Sequence, residues 1–200
     1  MKQGTPEWLA ARLGHVTASR FSDVLAKGKG ITREKYLIQI VCERLTGLSQ
    51  PEYVNGAMEW GTEQEPFARM AYEVKTQAIV QEVGFIKHPT MARVGGSPDG
   101  LIGDNGGVQI KCPSSHVHIA TIRNGMPSEH RAQVQGEMAV TNRTWWDFVS
   151  YDPRMPEPLQ LYIERIKRDD DYIEQQLVPA VLAFLREVDE VIAELMERAK

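Results

Sequence analysis

The sequence predicts an α/β protein of the mixed α+β kind, in which helices flank a central mixed sheet. Three observations carry that expectation. A strand-rich middle, Gln77 to Lys111, is enclosed by segments whose apolar residues recur at helical spacing. Two further stretches, Trp145 to Tyr151 and Leu159 to Ile166, are rich in the aromatic and β-branched residues that strands favour. A long amphipathic stretch then closes the order, and helices interleaved with strands in this way pack on the faces of a sheet.

Pro6 to Leu13 reads as a short helix ended by Gly14, with Trp8, Leu9 and Leu13 available to pack. Thr17 is placed to cap a second helix from Ala18 to about Ala26, which gathers Arg12, Thr17 and Ser19 near a helix N-terminus. A guanidinium, hydroxyls and free backbone N–H groups in one place suit an anion, although a plain cap accounts for the same residues. Lys27-Gly28-Lys29-Gly30 reads as a basic loop, open to a phosphate backbone or simply solvated. A helix from Thr32 to about Thr46 should turn Tyr36, Ile40 and Leu45 inwards. The next, Asn55 to about Val74, carries Met58, Trp60, Glu65, Phe67 and Met70 and should break or restart at Pro66. Glu59, Glu63, Glu65 and Glu73 read locally as a solvated face.

Strands are expected over Gln77 to Lys87 and Met91 to Val94, separated by His88-Pro89. Beyond them, Pro98 and Gly100 bend the chain around Asp99, Asn105-Gly106-Gly107 signals a turn, and Val108 to Lys111 alternates apolar with polar. In a strand, residues two apart share a face, so Gln109 and Lys111 point to one side while Val108 and Ile110 point to the core. Asp99, on the preceding arm, can meet them across the turn. Helices follow over Ser115 to Arg123 and Pro127 to Val140, the second placing Gln133 and Glu137 on one face, one turn apart. The terminal helix, about Asp169 to Ala199, should kink at Pro179.

At 200 residues the chain is expected to form one domain, 1–200, burying about 70% of its unfolded surface. It has no apolar run long enough for a membrane span and no signal-peptide pattern, and its two cysteines, Cys42 and Cys112, offer neither a disulfide framework nor a zinc spacing. A reducing cytoplasm without membrane association is expected. The net charge of -4 argues against coating nucleic acid through a broad basic surface. It leaves room for a local groove, since carboxylates that hold a divalent metal contribute to that charge.

An aspartate on a bend, with a polar residue and a lysine two apart on the next strand, suits metal-assisted hydrolysis of a phosphodiester. Asp99, the side chain at 109 and the carbonyl of Ile110 would hold the cation, while Lys111 would orient or deprotonate the attacking water and offset developing charge. Alone, so short a pattern is weak. In context, Ser97-Pro98-Asp99-Gly100-Leu101 followed by Val108-Gln109-Ile110-Lys111-Cys112-Pro113 closely resembles the PD-(D/E)xK core of the lambda exonuclease and YqaJ-like viral recombinase family. The similarity extends, in order, to Arg12 through Ser19, Trp60-Gly61 with Glu65, Ala132 through Gln135, and Tyr151 through Met155.

That resemblance implies a restriction-endonuclease-like core and a Mg²⁺-dependent 5′→3′ exonuclease, with Mn²⁺ as a substitute. Such an enzyme processively degrades one strand of linear double-stranded DNA from a 5′-phosphorylated end and leaves 3′ overhangs. It also implies a toroidal homotrimer, a single-strand annealing recombinase as partner, and a phage or prophage origin in a bacterial cell. Carried over residue by residue, Asp99 matches the central metal ligand, Lys111 the catalytic lysine, and Glu65 the helix-borne acid near a second metal or its water. Arg12, Ser19, Ser97 and Gln133 match the 5′-phosphate pocket, Met58 the apolar wedge at the terminal base pair, and Lys27 and Lys29 a loop near the DNA. His15 and His130 are expected to be structural. The departure is Gln109, where the family has glutamate: an amide is nearly isosteric but brings no negative charge to the metal. The expectation is a catalytically weakened chain, an exonuclease inactivated to trap uncut DNA. A restriction-type endonuclease and a non-catalytic DNA-end binding module are the other readings of the same core.

Overall fold

The computed structural model describes residues 3–26, 31–50 and 55–200. Helix α1 (Pro6–Arg12) leads into strand β1 (Val16–Thr17), a 3₁₀ turn (Ala18–Arg20) and helix α2 (Phe21–Leu25). Helices α3 (Ile31–Thr46) and α4 (Gly56–Thr76) precede the short strands β2 (Val80–Gln81), β3 (Ile86–Lys87), β4 (Val94–Gly96) and β5 (Gly100–Ile102), then β6 (Gly106–Lys111). Helices α5 (Ser115–Asn124) and α6 (Arg131–Thr141) separate β6 from the hairpin of β7 (Trp145–Tyr151) and β8 (Leu161–Lys167). A short helix α7 (Asp170–Tyr172), a π turn (Ile173–Leu177) and helix α8 (Val178–Arg198) complete the order. Among the described residues, no helix is long and apolar enough to cross a membrane.

The principal sheet runs β2-β5-β6-β7-β8, with β6 and β7 parallel and every other neighbour antiparallel, and a smaller mixed sheet runs β1-β4-β3. The expected mixed sheet is therefore divided in two. Alternation along β6 sets its faces: Val108 and Ile110 join Ala68 and Tyr72 of α4 in one core, as period-two patterning requires. On the opposite face Trp146 and Phe148 of β7 pack against Val134 and Met138 of α6. The register pairs Gln109 with Phe148 and Lys111 with Ser150, so both polar side chains lie on the α6 side. A third core joins α2, α3 and α8, where Tyr36 stacks on Phe184.

Several expectations need correction. The turn falls at 103–105, and Gly106 and Gly107 belong to β6, because a Cβ on either would lie 2.0 Å from the Trp145 ring or 2.3 Å from the Trp146 ring. These glycines admit tryptophan rings rather than forming the bend. Helix α4 runs through Pro66 without interruption; Asn55 caps it, and Tyr72 fastens its far half to buried Asp147 with a 2.6 Å hydrogen bond. A local cap on one side and a tertiary anchor on the other outweigh the missing N–H. Leu45 is exposed although Tyr36 and Ile40 are buried. The helix expected from Ala18 is a 3₁₀ turn followed by α2, the span Gln77 to Lys87 holds only β2 and β3, and the strand expected at Met91 begins at Val94. Likewise the helix expected from Pro127 opens as a 3₁₀ turn, Ser128–His130. Pro179 sits in the first turn of α8, directly after the π turn, where its absent N–H is least costly. Lys27 and Lys29 lie outside the described residues.

Candidate active site

Asp99 occupies a bend between β4 and β5, and its Oδ2 accepts hydrogen bonds from the side-chain amide of Gln109 and, at 2.6 Å, from the backbone N–H of Ile110. Gln109 is only 3% exposed. Its carbonyl Oε1 accepts from Gln133 Nε2 at 2.6 Å, and the same Gln133 nitrogen donates to Glu137 Oε1 at 3.1 Å. Lys111 Nζ donates to Gln133 Oε1 at 3.4 Å. The result is a chain of carboxylate, amide, amide and carboxylate, with the lysine branching from the second amide.

Electrostatics follow from burial. Asp99 is raised well above the usual carboxylate range, chiefly by loss of solvent and next by the Glu65 carboxylate, against the pull of Lys111 and the Ile110 N–H. Burial and then Asp99 push Glu137 up to about 8. The ring of His130 stacks on Phe148, and burial followed by Lys111 drives its pKa down to about 4. It is a neutral packing residue. His15 meets Phe85 edge-on and pairs Nδ1 with the Leu13 carbonyl.

The residues expected around a terminal phosphate come together. Arg12, Ser19, Ser97, Gln133, Asp99, Gln109 and Lys111 line one cavity of about 200 Å³. No α-helix N-terminus assembles it, contrary to expectation: Thr17 makes no side-chain cap, and its hydroxyl lies 3.2 Å from that of Ser19 at the junction of β1 and the 3₁₀ turn. The Arg12 guanidinium rests 4.0 Å over the Trp8 ring, whose Nε1–H donates to Ser97 Oγ at 3.0 Å. Gln3 donates to the Pro98 carbonyl at 2.8 Å and lines the same cavity. Sequence reasoning assigned Trp8 to packing and missed Gln3 altogether; the indole N–H of Trp8, a donor needing a partner, was the available signal.

Glu65 lies in a second hollow of about 690 Å³, which Asp99 also borders. There it pairs with Arg69 at 2.6 Å, and Arg69 also pairs with Glu82. Met58, in the first turn of α4, is 47% exposed and outside the cores, one turn before Thr62, which lines the second hollow. Among the described residues, no three His, Cys, Asp or Glu side chains cluster in a way that could hold a metal ion. Asp99, Glu65 and the Ile110 carbonyl are hard oxygen donors of the kind Mg²⁺ takes. They fit such an ion in type but are one charge short, because position 109 carries an amide already bonded to Asp99.

A mixed sheet whose β5–β6 hairpin sets Asp99, residue 109 and Lys111 beside a helix-borne acid defines a fold of the PD-(D/E)xK nuclease class. Residues 7–144 match the YqaJ-like viral recombinase domain, and the chain belongs to that family. It is similar to the alkaline exonuclease LHK-Exo of Laribacter hongkongensis, 48% identical with 98% of each chain covered and a TM-score of 0.91. The structure of LHK-Exo in complex with dAMP matches at 49% identity and a TM-score of 0.92, again over 98% of each chain. A phage-related exonuclease from Haemophilus somnus 129PT shares the fold, with a TM-score of 0.69 at 16% identity over 90% of this chain and 96% of that one. ExoD of Escherichia coli (strain K12) is 37% identical over 70 residues, 34% of this chain and 76% of that protein.

Proposed function

We propose that the chain is built as a Mg²⁺-dependent 5′→3′ exonuclease of linear double-stranded DNA, with Mn²⁺ as a substitute, leaving 3′ overhangs for recombination by strand annealing. The observation that carries this reading is the shared cavity, in which Arg12, Ser19 and Ser97 adjoin Asp99, residue 109 and Lys111. A guanidinium and two hydroxyls set beside Asp99 and Lys111 suit the extra charge of a terminal phosphate, which favours action at an end over a restriction-type internal cut. Similarity to the alkaline exonuclease LHK-Exo over nearly the whole chain supports the same class.

In this reading Arg12, Ser19, Ser97 and Gln133 bind the 5′-phosphate through charge-assisted hydrogen bonds. Asp99, residue 109, the Ile110 carbonyl and Glu65 hold the cation. When bound, the cation polarises the phosphoryl group and lowers the pKa of water. Lys111 orients the attacking water and offsets charge developing on phosphate oxygens. Met58, exposed at the start of α4, serves as the apolar wedge at the terminal pair. Lys27 and Lys29, outside the described residues, match the family's loop near the DNA and are assigned to its phosphate backbone on that resemblance alone. Gln109 supplies no charge and donates to Asp99, so the chain as it stands holds ends and cleaves poorly, consistent with an exonuclease inactivated by one substitution. The deciding experiment digests a 5′-phosphorylated duplex with Mg²⁺, comparing this chain with Gln109→Glu; no gain from the acid would sink the proposal.

The assembly proposed is a toroidal homotrimer, working with a single-strand annealing recombinase in the cytoplasm of a bacterial host. An enclosing ring gives processivity with modest phosphate contacts, which reconciles DNA with a net charge of -4. The exposed stripe of Phe67, Met70 and Val74 on α4 supports a surface covered by another subunit. Light scattering tests it, a monomer at working concentration counting against the ring. A second reading, a non-catalytic DNA-end binding module, is favoured by the self-contained bonding of Gln109. End binding without digestion by Gln109→Glu would support it, and sealed circular duplex separates both readings from an endonuclease.

A further inference from the structure

Glu137 lies one turn beyond Gln133 on α6 and is 1% exposed. Burying a carboxyl group is costly unless it is used, yet its Oε2 has no hydrogen-bond partner. Its other oxygen does a specific job. The Gln133 amide has two N–H bonds, one given to Gln109 at 2.6 Å and one to Glu137 at 3.1 Å, which leaves its carbonyl facing Lys111 Nζ. Turned over, that amide would set its carbonyl against the Gln109 carbonyl and its NH₂ against an ammonium group, both repulsive, and would give up the acceptor it has in Glu137 Oε1. Gln109 is itself oriented by Asp99, so Gln133 is gripped from both sides.

We propose that Glu137 is a positioning residue of the nuclease site, fixing the Gln133 amide so that its carbonyl holds the Lys111 amine beside the cavity. The inference rests on the reading of Lys111 as catalytic, and it goes further by giving the buried acid behind the site a purpose. Because Glu137 acts on Gln133 directly, its role persists whether residue 109 is amide or acid.

The test uses Glu137→Met, which keeps the volume but removes the acceptor, with Glu137→Ser should the larger side chain not be accommodated, and Glu137→Gln as the conservative variant. The first readout is the side-chain amide proton pair of Gln133 in ¹⁵N spectra, assigned by its loss in Gln133→Met. It should move towards the free-amide position in Glu137→Met and stay in place in Glu137→Gln. The second is digestion of 5′-phosphorylated duplex in the Gln109→Glu background. There Glu137→Met should lower kcat about tenfold or more with KM within about twofold, as a misplaced catalytic group does, and Glu137→Gln should restore it. An unmoved amide pair, or an unchanged kcat in an active Gln109→Glu enzyme, would overturn the proposal. If Gln109→Glu itself digests nothing, the nuclease reading fails and the catalytic consequence claimed for Glu137 fails with it, whereas the amide pair still decides whether Glu137 orients Gln133.

Discussion

The side-chain amide of Gln109 donates a hydrogen bond to Oδ2 of Asp99, so two neighbours that would share a cation in a nuclease are here bonded to each other. An acid at 109 could not make that bond when ionised; it would repel Asp99 until a cation came between them. Gln109→Glu should therefore raise Mg²⁺-dependent nucleotide release by about 100-fold or more, the scale on which a lost electrostatic partner affects catalysis. Quantifying product from a 5′-phosphorylated linear duplex checks this.

Stability should depend on pH in a definite direction. Glu137 rises from its ordinary 4.5 to about 8 on folding, so the folded state keeps a proton that the unfolded chain releases. That contribution is complete below pH 4.5 and is lost as pH rises towards 8. His130 acts oppositely: with its pKa lowered from 6.5 to about 4, stability rises with pH across that interval and its contribution is constant above pH 6.5. Between pH 6.5 and 8, Tm of the metal-free protein should fall, and it should fall less in Glu137→Gln; equal slopes would contradict the assignment.

Arg12→Ala should reduce the preference for a 5′-phosphorylated over a 5′-hydroxyl end by about tenfold, since a charge-assisted bond to phosphate contributes about 1.5–3 kcal/mol. Trp8→Phe, which removes the donor to Ser97 while keeping a ring beneath Arg12, should have a smaller effect in the same direction. Competition binding with both duplex ends measures each.

Gly107→Ala should destabilise the fold by about 1–3 kcal/mol, as overpacking does. The new methyl would sit 2.3 Å from the Trp146 ring, which is fully buried and has nowhere to move. Urea unfolding monitored by tryptophan fluorescence reads the loss.

Much of the fold is legible in the sequence because patterning and packing agree there. The aromatic run of Trp145–Tyr151 forms a strand with those bounds, and the alternation in Val108 to Lys111 places Gln109 and Lys111 on the same face. Legibility fails where a distant partner overrides a local signal. Asn105-Gly106-Gly107 carries turn chemistry, but the tryptophans of β7 claim two of its glycines. Pro66 signals a break, but the hydrogen bond from Tyr72 to remote Asp147 holds the far half of α4 in line. At the site, Asp99, Gln109 and Lys111 are close in sequence, and the resemblance brought Arg12, Ser19, Ser97 and Gln133 to them. Gln3 and the hydrogen-bonding role of Trp8 had no such route, for their partners lie on the remote segment around Ser97 and Pro98.

The parallel pairing of β6 with β7 has a consequence in time as well as in space. A hairpin closes as soon as its second arm exists, but a parallel partner arrives only after a long crossover. Here that crossover contains α6 and with it Gln133 and Glu137. During synthesis, Asp99, Gln109 and Lys111 emerge well before the amide and the acid that set their arrangement. A nascent chain ending short of Tyr151 thus carries the reactive side chains without their order, and the site forms only once the sheet is filled from the other side.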